Sequence, residues 1–332
     1  MSKVFDLWNE VGGAFGPSGR EDAVREAIAA IAGEYIDDIT TDALGNLICR
    51  KKGSGKKVLF AAHMDSIGVV ATYIDEKGFI RFSQVGGLFK GDLINIVVRF
   101  ANGTRGVISY EEKTPFKDLT LDNLFIDIGA KDRADAEKQV QVGDFAVFEA
   151  PRFEQNGVLC GPYLDNRIGC VTLLRAMEQI GETDNDLYFV FTAQEEVGLR
   201  GAGAAAFAVE PDVAIAVDVT DTGDLPERKT PMAVDMGKGP AIKVMDRSVI
   251  CTPAVCAALE QAAHDCGIAT QREILQCGGT DTAALQKARA GVQAGAVSIP
   301  TRYIHSPSEM CAVDDVENAA KLLARFAASF GA

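Results

Sequence analysis

Histidine is scarce in this chain, with three residues among 332. The eight cysteines show no C-x-x-C spacing and lie mostly in apolar segments, which favours reduced core thiols over disulfides or a zinc–cysteine site. No apolar run is long enough to cross a membrane, because the strongest one, from Val58 to Ile74, is interrupted by polar residues. A G-x-S-x-G elbow, a Walker loop and a dinucleotide-binding fingerprint are absent, which argues against the enzyme classes that need them.

Basic residues are also in deficit, because 33 lysines and arginines face 47 aspartates and glutamates and leave a formal charge of −14. The acidic surplus is spread along the chain without a basic stripe, so neither a nucleic acid nor a membrane is an expected partner. The N-terminal residues lack the apolar core of a signal peptide, and the expectation is a cytoplasmic protein.

The first sixty residues predict a helix followed by two strands. Ser18–Glu21 matches a capping box, which predicts a helix over 21–35. Strands are expected at Ile39–Thr41 and Leu47–Arg50.

From 67 to 160 helical periodicity largely disappears, and turn pairs such as Asn102-Gly103 separate short alternating strands. Strands are expected at Leu93–Phe100, Gly106–Tyr110 and Phe145–Phe148, with one helix at Arg133–Gln139. This segment is predicted to form a small β-rich domain inserted into another domain.

From 161 onward helices and strands alternate again. The predicted elements are a helix at Arg167–Ile180, strands at Leu187–Ala193, Val213–Val219 and Val297–Ile299, and helices at Thr252–Cys266 and Val316–Phe330. Such alternation favours an α/β fold with a mostly parallel, mixed sheet covered by helices on both faces. Residues 1–66 and 161–332 are therefore expected to form the main domain, and residues 67–160 the insert.

Two of the three histidines follow apolar strands. His63 ends a buried run in an H-x-D motif, and Asp65, two residues on, could accept a hydrogen bond from its second ring nitrogen. His305 follows the strand at 297–299. A simpler interpretation of His63, taken alone, is a histidine hydrogen-bonded at a strand end. His264, inside a predicted helix, is interpreted as a surface or cap residue.

Carboxylates also gather after apolar runs. Asp165 precedes a helix and could be its N-cap, or it could bridge two metal ions. Glu195 and Glu196 follow a buried strand, so one could bind metal while the other faces the attacking water. Asp218 ends another apolar run and needs a partner or a cation. Because ligands of open α/β sheets gather at the carboxyl ends of strands, the shared placement predicts a two-metal hydrolytic site.

The loop 276–282, which contains Gly278-Gly279, joins a predicted strand to a helix. Its backbone amides could approach a substrate backbone or carboxylate. An equally good interpretation is a tight turn with Thr280 or Asp281 as N-cap.

The chain resembles, nearly end to end, the tetrahedral aminopeptidases, a di-metal family that includes glutamyl aminopeptidases and has members labelled endoglucanases. The matching segments, in order, are Gly16–Gly19, His63–Asp65, Phe125–Gly129, Val142–Asp144, Leu164–Arg167, Glu195–Gly198, Gly279–Asp281 and Ile304–Pro307. One departure is Ser66, where many relatives carry an acidic residue.

The resemblance implies a role for each matching position. His63, Asp165 and Asp218 would bind one metal ion, whereas Asp165, Glu196 and His305 would bind the other. Glu195 matches the family's general base, and Asp65 the carboxylate that orients the metal-binding histidine. The expected ions are two per subunit, zinc or cobalt first and manganese as a further option. The insert resembles the family's dimerisation domain, through which dimers assemble into hollow twelve-subunit tetrahedra.

The predicted function is therefore removal of N-terminal residues from short peptides by a metal-bridging water that Glu195 activates. One alternative is a related di-metal carboxypeptidase or N-acyl amino acid deacylase, which would need a cationic clamp such as Arg302 or Arg247. Another is a non-catalytic assembly scaffold, although every ligand position is filled. Glycoside hydrolysis is weaker, since paired glycosidase carboxylates do not require the histidines.

Overall fold

The structure is a computed structural model that describes residues 1–36, 38–228 and 230–331. Its α-helices in the described ranges are α1 Lys3–Gly13, α2 Asp22–Ala32, α3 Arg133–Ala136, α4 Leu164–Gln179, α5 Arg200–Val209, α6 Pro253–Asp265, α7 Thr282–Gln286 and α8 Val313–Ser329. Short 3-10 turns lie at Lys90–Asp92, Phe116–Asp118 and Leu121–Asn123. Within this described part, none of the helices combines the length and apolarity that a bilayer crossing requires.

The strands divide into two groups. One group forms a sheet of eleven strands: β1 Asp38–Thr41, β2 Leu47–Lys51, β3 Lys57–His63, β10 Phe153–Gln155, β11 Val158–Gly161, β12 Asp186–Thr192, β13 Val213–Thr220, β14 Ala241–Met245, β15 Gln271–Ile274, β16 Gln293–Arg302 and β17 Glu309–Ala312. The other group forms a closed barrel: β4 Gly68–Ile74, β5 Ile80–Val85, β6 Val97–Phe100, β7 Arg105–Tyr110, β8 Leu124–Asp127 and β9 Phe145–Glu149.

The large sheet has the order β1-β2-β12-β3-β13-β16-β17-β11-β10, with β14 paired to β16 and β15 to β14. Its centre, β12-β3-β13-β16, is parallel, and both flanks are antiparallel. The predicted α/β class with a mixed, mostly parallel sheet is confirmed. The predicted insert is present as the barrel, whose strand order is β4-β5-β8-β7-β6-β9. β10 and β11, which the prediction placed in the insert, pair in the large sheet instead.

Helices cover both faces of the large sheet, and alternate strand residues point to opposite sides. On β3, Val58, Phe60 and Ala62 pack in the cluster that contains α1, α2, α4, α6 and α8. Leu59 and Ala61 pack in the second cluster, against α5 and α7. Burial on both faces explains why the central strands are near-continuous apolar runs.

Three local predictions differ from the structure. Ser18 is not the cap of α2, because α2 begins after Glu21 without a side-chain cap and the Ser18 hydroxyl bonds elsewhere. The expected strand 93–100 is shortened to β6, since a 3-10 turn occupies the residues before Leu93. Asp165 is not an N-cap either: it has non-helical dihedral angles, and Asn166 accepts the hydrogen bond from the Gly169 amide at 3.1 Å.

Candidate active site

A crevice opens where β3 and β13 separate at their carboxyl ends. The two strands pair only from Val58 with Val213 to Ala61 with Ala216. Beyond this point each strand stays with its outer neighbour, β12 as far as His63 and β16 as far as Thr220. The gap exposes polar side chains of two central strands to one another, which is the usual ligand position in an open α/β sheet.

Strand alternation places two of the predicted residues on the same side of this crevice. His63 continues the row Leu59, Ala61 on β3, and Asp218 continues the row Ala214, Ala216 on β13. Their atoms His63 Nε2 and Asp218 Oδ1 are 3.7 Å apart. A one-residue shift on either strand would turn the polar side chain to the opposite face.

Asp165 lies between the two predicted histidines. Its Oδ1 is 3.1 Å from His63 Nε2, and its Oδ2 is 3.2 Å from His305 Nε2. The peptide bond between Asp165 and Asn166 is cis. The two distances show that the Asp165 carboxylate presents a different oxygen to each imidazole.

The two glutamates lie on opposite sides of Asp165. Glu195 Oε2 is 3.9 Å from His63 Nε2, and Glu196 Oε2 is 3.3 Å from His305 Nε2. They follow Gln194, which has a positive φ of 58° and turns the chain sharply after β12. The turn sends the two adjacent side chains to different parts of the site.

Asp65 lies next to His63 and binds the turn at residues 194–196, called the glutamate turn below. Its Oδ1 accepts from the amide of Glu195 at 2.9 Å, and its Oδ2 accepts from the amide of Glu196 at 3.2 Å and from Ser18 Oγ at 2.6 Å. His63 Nδ1 lies 3.1 Å from the Asp65 carbonyl oxygen and 3.5 Å from Oδ1. The expected contact with His63 is thus made mainly by the main chain, and the carboxylate positions the glutamates.

A second buried carboxylate, Glu309, was missed by sequence reasoning. Its Oε2 accepts from the amide of Asp165 at 2.9 Å, and its Oε1 accepts from the amide of His305 at 2.9 Å. Burial and the Asp165 carboxylate raise the pKa of Glu309, and the two amide donors oppose this rise. Its position four residues after His305 was a sequence signal, but an acidic residue at that spacing is too common to be informative.

The segment before α2 also supports the site. Ser18 binds Asp65, and Glu21 Oε1 accepts from the amides of Gly19 at 2.7 Å and Gln194 at 3.2 Å. Arg167, fully buried on α4, donates to the carbonyl oxygens of Val11 and Gly16 at 3.0 and 2.9 Å. These hydrogen bonds connect the N-terminal chain to both α4 and the glutamate turn.

The inserted barrel reaches the site through the loop after β5. A side chain on Gly86, whose φ is +78°, would come within 3.1 Å of Glu196 Oε2, and one on Gly87 within 3.3 Å of His305 Nδ1. Glycine allows this close approach. The barrel thus forms one wall around His305 and Glu196.

The remaining predicted residues lie at the edge of this arrangement or outside it. His264 is on the surface of α6, with 84% of its side chain exposed, as expected. Arg302 pairs with Asp224 at 2.6 Å, whereas Arg247 lines the cleft.

Ser66 is buried and donates to the Gly16 carbonyl at 3.2 Å. In the loop 276–282, Asp281 is buried, and Thr192 Oγ1 donates to its Oδ2 at 2.5 Å.

Packing several carboxylates together shifts their proton affinities. Burial raises the pKa of Glu195 well above its usual range, and Asp218 and Asp281 add to the rise while His63 opposes it. Burial likewise raises the pKa of Asp281 to about 7. Burial also acts to raise the pKa of Asp165, but hydrogen bonds from the two histidines outweigh it. The pKa of Asp165 is therefore lowered. The site therefore combines carboxyl groups of very different basicity.

The side chains fit divalent cations. Donor atoms of His63, Asp165 and Glu196 lie within 4.8 Å of one another, and so do those of His63, Glu195 and Asp218. Glu196 Oε1 is buried and has no hydrogen-bond partner among the residues that the structure describes, as expected for an oxygen that binds a cation. Imidazole and carboxylate donors suit zinc, cobalt or manganese.

The site lies in a cleft with a volume of about 1160 Å³. Its lining is largely apolar and includes Leu199, Leu225, Leu275 and Ile304. Such a cleft has room for a short peptide. An open α/β sheet with imidazoles and carboxylates at the carboxyl ends of its strands is the arrangement of a hydrolase whose side chains could bind divalent ions.

Comparison with known proteins agrees with this class. The model of the M42 glutamyl aminopeptidase family matches residues 45–322. A relative in Acetivibrio thermocellus is 51% identical over 321 residues, covering 96% of this chain and 97% of that one. The lysyl aminopeptidase of Pyrococcus furiosus is 36% identical over 322 residues, covering 92% of both chains.

Among solved structures, an aminopeptidase of Desulfurococcus kamchatkensis superposes with a TM-score of 0.94 at 37% identity, covering 98% of this chain and 94% of that one. The chain belongs to the M42 glutamyl aminopeptidase family. Its sequence and its fold are both similar to those of aminopeptidases. The resemblance drawn from its motifs is confirmed.

Proposed function

We propose that this protein removes N-terminal residues from short peptides at a site that holds two divalent ions. The observation that carries the proposal is the placement of Asp165, with one oxygen 3.1 Å from His63 and the other 3.2 Å from His305. A carboxylate that offers one oxygen to each of two neighbouring positions is suited to bridge two cations.

The ligands divide between the two positions as the family pattern implies. His63, Asp165 and Asp218 would hold the first ion. Asp165, Glu196 and His305 would hold the second. Divalent ions held by these residues would lower the pKa of a bound water and polarise the scissile carbonyl. The proposed ions are two zinc or two cobalt ions per subunit, and manganese would also suit these donors.

Glu195 is proposed as the general base. Its raised pKa suits a group that accepts a proton from the attacking water and passes it to the leaving amine nitrogen as the peptide bond breaks. Asp65 fixes the glutamate turn through its hydrogen bond with the Glu195 amide, so the carboxylate faces the cleft in a defined direction.

Self-association through the barrel is part of the proposal. Two similar solved structures are described as assemblies: PhTET1-12s, at 32% identity, as a dodecamer, and the TET1 peptidase of Pyrococcus horikoshii, at 31% identity, as able to form a tetrahedron or a large octahedral shell. The barrel of this chain exposes Phe116 and Val142, which are 64% and 61% accessible. Exposed apolar side chains of this size are suited to a contact between subunits. We therefore propose that dimers form through the barrel and assemble into a twelve-subunit shell.

The test is hydrolysis of a panel of amino-acyl p-nitroanilides and their N-acetylated controls by metal-free protein reconstituted with zinc, cobalt or manganese. Glu195→Gln should lose roughly 100- to 10,000-fold in kcat, since the amide cannot take up the proton. Glu10→Gln, an exposed change on α1, is the matched control and should leave the rate unchanged.

Activity on blocked substrates alone would overturn the aminopeptidase assignment in favour of a deacylase, with Arg247 as the first candidate to bind the substrate carboxylate. Metal-loaded protein that hydrolyses no substrate in the panel would favour a scaffold. Size-exclusion chromatography with light scattering, on the wild type and on Phe116→Asp, tests the assembly separately.

A further inference from the structure

Glu309 connects the two predicted ligands that share the second ion. It is 1% exposed, and each of its carboxylate oxygens accepts one backbone amide at 2.9 Å, from Asp165 and from His305. These two residues are 140 positions apart in the chain, so no local structure holds them together. The Glu309 side chain does so directly.

The topology explains why this position can reach both. β17 pairs antiparallel with β11 so that Glu309 lies opposite Gly161, at the point where the chain turns from β11 towards Asp165. β17 also pairs with the end of β16, and the loop 303–308 between them carries His305. Glu309 therefore stands at the start of a strand that borders both segments.

His305 needs such support more than His63 does. His63 is the last residue of a central strand, whereas His305 lies in a loop with a positive φ of 65°. A non-glycine residue with this backbone conformation is uncommon and persists only where its surroundings hold it. The hydrogen bond from the His305 amide to Glu309 is one such constraint.

The chemistry of the contact requires a carboxylate. Two N–H donors converge on Glu309, and a carboxylate offers an acceptor oxygen to each. A glutamine in the same place offers one acceptor, and its own N–H group would face the second amide. Because a buried amide without an acceptor is costly, the segments of Asp165 and His305 would shift apart.

We propose that Glu309 is a positioning residue that sets the separation of Asp165 Oδ2 and His305 Nε2 and thereby the affinity for the second ion. The inference rests on the two-ion proposal above. It assigns Glu309 no contact with substrate or with the ion. Its effect on the first ion is smaller, because His63 and Asp218 are fixed by β3 and β13.

The test measures binding of the two ions separately. Metal-free wild type, Glu309→Gln and the exposed control Glu10→Gln are titrated with cobalt against a competing chelator, and the visible absorption of each bound ion is followed. The weaker of the two affinities should fall roughly 10- to 100-fold in Glu309→Gln, and the stronger by less than about threefold. Glu10→Gln should match the wild type.

Rescue distinguishes positioning from a general structural defect. Peptidase activity of Glu309→Gln should return towards the wild-type value as the cobalt concentration is raised, because excess ion refills the weakened position. Glu309→Asp keeps both acceptor oxygens on a side chain one methylene shorter, so its affinity for the second ion should lie between those of the wild type and Glu309→Gln. If Glu309→Gln is not recovered as folded protein, Glu309→Asp is used for the same comparison.

Unchanged affinities in the glutamine or the aspartate variant would overturn the inference, and so would an equal loss of both ions. If the wild type binds two ions and is active while the Glu309 variant has unchanged affinities, only the role of Glu309 is rejected and the proposed function stands. A wild type that binds fewer than two ions would reject the proposed function as well.

Discussion

The two halves of the site are built in different ways. The half around His63 uses side chains from the central strands β3 and β13, and the His63 side chain is 2% exposed. The half around His305 uses a loop residue and the glutamate turn, and the His305 side chain is 24% exposed. One wall of this second half comes from the barrel loop at Gly86.

This difference indicates how each half keeps its geometry. β3 and β13 are packed on both faces, and beyond the point where they separate each stays hydrogen-bonded to its outer neighbour, so a ligand on them needs little further support. A loop or a turn has neither and depends on individual hydrogen bonds. Asp65 and Glu309 supply these bonds, since each buried carboxylate accepts two backbone amides of the site. We expect the half around His63 to bind its ion more tightly.

The largest expected effect comes from removing one histidine at a time. His63→Ala should lose the tighter ion and reduce kcat beyond the roughly 10- to 100-fold cost of changing a supporting residue. His305→Ala should keep one tightly bound ion and lose the weaker one. Metal analysis after dialysis against a chelator measures both. Equal loss of metal from the two variants would contradict the asymmetry between the halves.

A smaller effect is expected from Asp65→Asn, which tests the support of the glutamate turn. The amide can accept only one of the two backbone N–H groups, so metal-free protein should lose roughly 2–4 kcal/mol of unfolding free energy. Urea denaturation measures this loss, with Asp118→Asn on the barrel surface as the matched control. A variant as stable as the control would show that the turn holds its shape without Asp65.

The smallest effect is a pH dependence of the metal-free protein. Burial raises the pKa values of Glu195, Glu196 and Asp218, and that of Asp281 to about 7, so above about pH 4 the folded state binds more protons than the unfolded chain. For His305, burial opposes the shift, but the Asp165 and Glu196 carboxylates outweigh it and raise the pKa to about 12. Its contribution to stability is therefore complete below about pH 6.5 and declines progressively as the pH rises above that value.

The buried carboxyl groups and His305 both bind protons more tightly in the folded state than in the unfolded chain. The free energy of unfolding should therefore fall as the pH rises from about 5 to about 8. Thermal unfolding at several pH values should show a midpoint that declines by several degrees in metal-free protein and by less in the metal-loaded form, where cations neutralise the carboxylates. A midpoint that rises over this range would show that the clustered carboxylates do not govern the stability of the site.

Sequence reasoning recovered the fold class because hydrophobic periodicity is local. The apolar runs that end at His63 and before Asp218 are the central strands β3 and β13, and the alternating strands after 67 form the barrel. Motif spacing identified the family because short segments around strand ends carry the chemistry. The same local reasoning failed at Ser18, where a capping pattern was present but the hydroxyl binds Asp65 instead.

The sequence by itself determined which residue types stand at the ends of which strands, since both depend on neighbours within a few positions. Only the tertiary structure decided which of them meet. Asp65 contacts Glu195 across 130 positions, and Glu309 contacts Asp165 across 144. Such contacts arise from strand order and from the separation of β3 and β13, which no local pattern encodes. That is why Asp165 was recognised as a candidate ligand from its motif, whereas Glu309, which holds it in place, was not.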